Sequence, residues 1–338
     1  CAHSLSEMQE IIDRLSLACK VFGLTISIKK TEHLHQPKPK WQQTIFIDDK
    51  PLKNVKSFVY LGSTVTANAM LDKEIAARIG KASSSFGKLT DRLWKDHDIS
   101  LDTKIMVYNA VVITTLLYGC ETWAPYKRQI LHLDAFHMRC LRSICGLSWK
   151  DRVRNSDILD KCKTSGIESF LIKAQCRWAG HVVRMDDSRI PKMLLYGQLE
   201  DAPRKTGRPL LRYKDKLKAN LKSIDVDVNT WESTATDRKL WRATFLPGLD
   251  SFEKARLTHH NQLAMQAKIR ETEPYEGPWF PCELCGFKSK SKGGLAAHKR
   301  KHQREIEAQE ELNLSCAVCG RTCKSKGGLK LHMKTHAT

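Results

Sequence analysis

The chain has 338 residues, enough for two or three domains with an ample apolar core. Lysine and arginine number 57 against 37 acids, a formal charge of +20, which points to nucleic acid or another polyanion as partner. There is no run of 18 apolar residues and no charged-then-apolar leader, so neither a helical membrane span nor a signal peptide is predicted, and no small-molecule motif is present either. The 12 cysteines are scattered, as reduced thiols in an intracellular protein are, with the nucleus favoured over the cytoplasm. The first residue is Cys, and the chain reads as a fragment that begins inside a domain.

In chain order, Ser4 and Glu7 form a capping box. Leu5, Met8, Ile11, Ile12, Leu15, Ala18, Val21 and Phe22 then keep helical spacing up to Gly23. Residues 24–28 alternate as a strand, and residues 45–47 and 58–62 read as short strands with a hairpin turn at Asp48-Asp49-Lys50-Pro51. From Leu71 the pattern is helical, with helices predicted near 72–95, 101–119, 127–145, 154–164 and 168–185. The second of these is apolar almost all round (Ile105, Met106, Val107, Val111, Val112, Ile113, Leu116, Leu117), which predicts a central place in a bundle. Trp94, Trp123, Trp149 and Trp178 are expected to be packing anchors. Residues 186–222 are loop-rich and basic. One or two further helices carry Trp231 and Trp241, and residues 273–278 form a Pro/Gly linker.

The most specific signal is Cys282-x2-Cys285-x12-His298-x3-His302, repeated 34 residues on as Cys316-x2-Cys319-x12-His332-x3-His336. Two cysteines so spaced suit a tight turn, and histidines four positions apart share one helix face. Four such ligands make a closed tetrahedral zinc site, so two Zn2+ ions are predicted. Each copy resembles the common CCHH zinc finger, with a core leucine at Leu295 or Leu329. The aromatic expected four residues after the second cysteine is replaced by Ser289 in one copy and Cys323 in the other. Phe287 is the candidate substitute in the first, and Cys323 a candidate competing ligand in the second. The base-reading helix positions are Ser291, Gly294 and Ala297, then Ser325, Gly328 and Leu331, none of them a bidentate reader. Lys288, Lys290, Lys292, Lys299, Arg300 and Lys301 surround them, which predicts phosphate contact over base reading. The residues between the fingers are rich in glutamate and exceed a short tandem-finger linker.

Stretches 22–31 (FGLTISIKKT), 58–63 (FVYLGS), 117–123 (LYGCETW), 177–185 (RWAGHVVRM) and 207–215 (GRPLLRYKD) occur in one order. Together they resemble the C-terminal part of a non-LTR, LINE-like retrotransposon reverse transcriptase. The resemblance implies the end of a palm and a primer-grip-like hairpin over 1–66, a helical thumb-like bundle over 67–185 and a basic helical extension over 186–272. After the linker come finger 1 (279–302), an acidic spacer (303–313) and finger 2 (314–338). The expected fold is therefore mainly α, with a small α+β N-terminal remnant and two small ββα zinc fingers at the C-terminus. It also implies that the catalytic aspartates of the palm belong before Cys1, so no polymerase activity is expected of the chain as given. Lys29 or Lys30 matches the family's lysine that assists pyrophosphate departure.

Asp48-Asp49 imitates the polymerase Asp-Asp signature, but its place after the lysine segment and its Lys-Pro sequel mark a turn. His137, Cys140 and Cys145, with His132 nearby, do not share one helix face, so helix packing is expected of them over metal binding. Asp186-Asp187 reads as a solvated loop, and His259-His260 as surface. Arg204, Lys205, Arg208 and Arg212 are the phosphate-binding candidates outside the fingers, weighed against a solvated basic face. The expected partner is RNA or DNA, held mainly through phosphates. The alternative is a cellular zinc-finger regulator or protein-interaction adaptor that uses a retroelement-derived scaffold.

Overall fold

The computed structural model describes residues 2–36, 44–197, 211–272, 277–312, 316, 318–321 and 326–336. It is mainly helical, with small two-stranded sheets near the N-terminus and small ββα units at the C-terminus. The chain divides into a unit spanning Cys1–Gln262 and one spanning Leu263–Thr338.

Helix α1 (Leu5–Val21) starts where predicted, with the Ser4 hydroxyl accepting from the Glu7 N–H at 3.1 Å. The Glu7 carboxylate reaches back to the His3 N–H instead of the Ser4 one. Its inner face supplies Leu5, Met8 and Ile12 to a small core around Ile45, Ile47 and Leu52. Residues 24–28 are not a strand. Their alternation does aim Ile26 and Ile28 at that core, but among the described residues no segment pairs with them, and alternation without a partner gives only extended chain. Glu32–His33 (β1) pairs in parallel with Lys53–Asn54 (β4).

Phe46–Ile47 (β2) pairs with Lys50–Pro51 (β3), so the chain turns at Asp48-Asp49 as expected, but Lys50 and Pro51 form the returning strand instead of residues 58–62. Asp48 and Asp49 turn it with φ of 47° and 63°, values that suit a two-residue hairpin loop. The Asp48 carboxylate is spoken for, accepting from Ser16 Oγ at 3.0 Å and Lys20 Nζ at 2.6 Å. A second hairpin pairs Ser57–Tyr60 (β5) with Ser63–Thr66 (β6), turning at Leu61-Gly62. Its returning strand, Ser63–Thr66, is not expected from the sequence pattern.

The body of the first unit is a helical bundle. Asp72–Lys88 (α2) runs on through a wide π turn at Thr90–Trp94, and Leu101–Val107 (α3) runs through another at Tyr108–Ile113 into Thr114–Leu116 (α4). Lys127–Ile144 (α5), Asn155–Lys161 (α6) and Ile167–Val183 (α7) complete the core layer. The α3–α4 segment is buried along Ile105, Tyr108, Val112 and Leu116, but Met106 and Val111 face solvent. It is therefore a packed wall and not the all-round buried helix its composition predicted. Trp94 and Trp123 are core anchors as expected, Trp94 stacking on Phe86 at 5.0 Å. Trp178 is only half-buried.

Ile190–Tyr196 (α8), Tyr213–Ser223 (α9), Trp231–Thr236 (α10) and Arg238–Thr272 (α11) follow. A second core forms where Leu217, Leu221, Trp231, Trp241 and Phe245 meet Ile172, Cys176 and Ala179 of α7. Gly180 makes that contact possible, since a Cβ there would lie 2.5 Å from the Trp241 ring. The N-terminus of α7 is capped from α11: the Glu253 carboxylate accepts from the Gly166 N–H at 2.9 Å, from Ser169 Oγ, and from Arg256. The second unit holds Phe280–Pro281 (β7) paired with Lys288–Ser289 (β8), then Lys292–Leu312 (α12) and Lys326–Lys334 (α13).

Candidate metal centres

Each C-terminal Cys/His set is brought to one point by a β-turn and a helix. In the first, the Cys282 N–H donates to the Phe287 carbonyl at 2.7 Å and the Gly286 N–H to the Cys282 carbonyl at 3.0 Å. Gly286 takes φ +71°, and its counterpart Gly320 takes +70°, a conformation that glycine reaches without strain. This turn aims both thiols at His298 and His302 on α12. Burial pushes the Cys282 thiol up, but the N–H groups of Leu284 and Cys285 outweigh it and hold the thiol below its ordinary range. The N–H groups of Val318 and Cys319 do the same for Cys316. A thiol primed as thiolate is the form a metal takes.

The donor atoms of Cys282, Cys285, His298 and His302 all lie within 4.8 Å of one another, as do those of Cys316, Cys319, His332 and His336. In the first set, Cys285 Sγ is 3.0 Å from His298 Nε2 and 3.2 Å from His302 Nε2, and the two Nε2 atoms are 3.1 Å apart. In the second, Cys319 Sγ lies 3.1 Å from His332 Nε2, which lies 3.3 Å from His336 Nε2. A zinc tetrahedron with Zn–S of about 2.3 Å and Zn–N of about 2.0 Å has edges of roughly 3.3–3.8 Å, so both sets are near metal-ready size. Three lone pairs converging on one point suit a cation better than a single shared proton. Among the described residues, these are the clusters able to hold a metal.

The finger cores explain the missing aromatics in part. Phe287 stacks on His298 with ring centroids 4.2 Å apart, although its outer side is exposed. Ser289 takes the usual aromatic place and bonds to residue 291. A Cβ on Gly294 would lie 2.3 Å from Ser289 Oγ, so a larger residue here would require the Ser289 hydroxyl to turn away. Cys323 lies outside the described residues.

Of the predicted phosphate contacts, Lys288, Lys290, Lys292, Lys299, Arg300 and Lys301 are exposed around the first finger, with Lys301 3.9 Å from Glu305. Arg204, Lys205 and Arg208 lie outside the described residues. Arg212 makes a two-pronged pair with Asp215, both contacts at 3.0 Å.

The other candidates have structural partners. His137 is fully buried, with Nδ1 2.8 Å from the Tyr108 hydroxyl and Nε2 3.2 Å from the Ser165 carbonyl. Cys145 Sγ lies 3.4 Å from Cys162 Sγ, not beside His137. Asp186 accepts from Ser188, and Asp187 pairs with Lys192 at 2.7 Å. His259 and His260 are exposed. A network that no sequence motif announces joins the second hairpin to the bundle, with Glu74 and Arg78 buried at its centre. Arg78 Nε donates to Glu74 at 2.7 Å and its Nη2 to the Gly62 carbonyl at 2.6 Å, while its guanidinium lies 4.5 Å over the Tyr118 ring. The Tyr118 hydroxyl in turn donates to the Leu61 carbonyl.

Residues 280–302 and 314–336 match the family described as Zinc finger, C2H2 type. A Caenorhabditis elegans protein named as uncharacterised and transposon-derived is 26% identical over 248 residues, covering 70% of this chain and 86% of that protein. No solved structure matches the chain. The donor chemistry and the family match agree on zinc, one ion in each finger.

Proposed function

We propose that the chain is a zinc-stabilised, nucleic-acid-binding C-terminal part of a retroelement reverse transcriptase, one that binds RNA or DNA through phosphates and does not polymerise. The observation that carries it is the first finger: a Cys2His2 donor set ringed by exposed lysines, with Ser291, Gly294 and Ala297 at the reading positions. Lysines are point charges for phosphates, whereas base discrimination needs forked donors or acceptors. The eight cysteines and histidines of the two sets are the proposed ligands.

Two things support the retroelement origin. A transposon-derived name attaches to the relative. Two stretches of the resemblance, 58–63 and 117–123, also meet through Arg78 and Tyr118, as parts of one working module would. The boundaries of palm end, thumb, extension and fingers belong to the same proposal.

Fluorescence anisotropy over a salt series tests it. Binding to random-sequence duplexes should be tight, salt-steep and indifferent to sequence. Neutralising Arg204, Lys205 and Arg208 should flatten the log K against log salt slope by about 0.9 for each duplex phosphate that the variant no longer neutralises. A reproducible sequence motif from binding selection on the full chain would favour the regulator alternative. Template-dependent primer extension would overturn the non-catalytic part.

A further inference from the structure

A cleft of about 550 Å3 lies in the first unit between α7 and α11, far along the chain from the fingers. Arg177, Trp178, His181 and Arg184 line it from α7, and Arg238, Trp241, Arg242 and Phe245 from α11. Both sets follow the spacing of a single helix face. Trp241 and Phe245 are buried and form the floor, with Trp241 Nε1 donating to the Cys176 carbonyl at 2.8 Å. Arg184 is fixed in the wall by a 2.6 Å bond to the Ala235 carbonyl.

The remaining groups have no such duty. Arg177, Arg238 and Arg242 are exposed and make no ion pair among the described residues. Among the described residues, Glu121 is the one carboxylate in the lining, against four arginines. Like charges four apart on a helix oppose that helix, and Arg238 and Arg242 are so placed. An anion relieves that repulsion. Trp178 is half-buried and tilted against His181 with centroids 5.6 Å apart, so an aromatic surface stands beside the free guanidinium groups.

We propose that this cleft binds single-stranded nucleic acid, with a base stacked on Trp178 and the adjoining phosphates held by Arg177, Arg238 and Arg242. Free cations beside an accessible aromatic are the two elements of single-strand recognition. The volume falls in the roughly 300–1,000 Å3 range of small-ligand pockets, which suits an unstacked nucleotide and not a duplex. The site shares only its ligand class with the function proposed above. It stands on different residues and needs no zinc.

Full-length protein and labelled oligo(dT) and oligo(rU) test it by anisotropy over a salt series, with a duplex as control. Arg238→Gln/Arg242→Gln should weaken single-strand binding at least tenfold and lower the salt slope by about 0.7 for each phosphate set free, leaving duplex binding unchanged. Trp178→Ala should weaken it roughly 5- to 150-fold, with Trp178→Phe restoring most of the affinity. Cys282→Ser/Cys316→Ser should abolish duplex binding by the fingers and leave the cleft's share intact. Unchanged single-strand affinity and slope in the arginine pair, whose exposed side chains leave the fold alone, would overturn the proposal. So would ultraviolet crosslinks confined to residues 279–338, whatever the fingers do. A preference between the two oligonucleotides would identify the sugar that the cleft accepts.

Discussion

At the scale of single residues, burial decides which polar groups are functional candidates and which are structural. Burial of His137 in the helical core opposes its protonation and pushes its pKa down to about 4. An unfolded histidine titrates near 6.5, so between these values the unfolded chain holds the extra proton and stability falls as pH falls. The decline should begin near pH 6.5, reach about 3 kcal/mol, and level off below pH 4. The imidazole resonances of His137 should stay in the neutral form at pH 5.5, and an NMR titration midpoint near 6.5 would show the account to be wrong. The Glu74–Arg78 pair gives a second case, at 3% and 5% side-chain exposure. Arg78→Ala should cost about 3–5 kcal/mol by stranding a buried carboxylate. Removing both charges with Glu74→Leu/Arg78→Met should cost much less, as denaturant melts of the three proteins will reveal.

At the scale of elements, close approach between helices matters more than propensity. Gly180 lies in the last turn of α7, yet Trp241 occupies the space its Cβ would take. Gly180→Ala should therefore destabilise the first unit by about 1–3 kcal/mol through overpacking, although alanine is the better helix former. A raised thermal midpoint would contradict this. The same residue shows what a sequence can reveal. Periodicity located the helices of the bundle because their buried faces repeat every three or four residues. The partner that fills the space beside Gly180 stands 61 positions away, and no local pattern announces it. Residues 24–28 failed for the opposite reason, since their alternation is local and the pairing it needs is not. The zinc ligands were legible because all four in each set lie within one short turn and one helix. The cleft arginines were not, because α7 and α11 meet only in the folded chain.

At the scale of the whole molecule, the two units should respond differently to chemistry. Zinc coordination supplies roughly 10–16 kcal/mol of apparent binding energy to a structural finger, most of what holds so small a core together. A strong chelator should collapse amide protection over residues 279–338 while the helical bundle stays protected, and hydrogen exchange will tell. Protection that survives chelation in the second unit would mean that its packing, not its metal, holds it.

The histidines of the first finger lie on a helix that runs without a break from Lys292 to Leu312, so the glutamate-rich stretch after His302 is part of the same rod. A helix this polar, with two glycines in its first turn, is marginal in isolation. Coordination at His298 and His302 provides the nucleus from which it propagates. The ion therefore governs the stiffness of the tether to the second finger as well as the first finger's own fold. The level of free zinc would then set how independently the two fingers move.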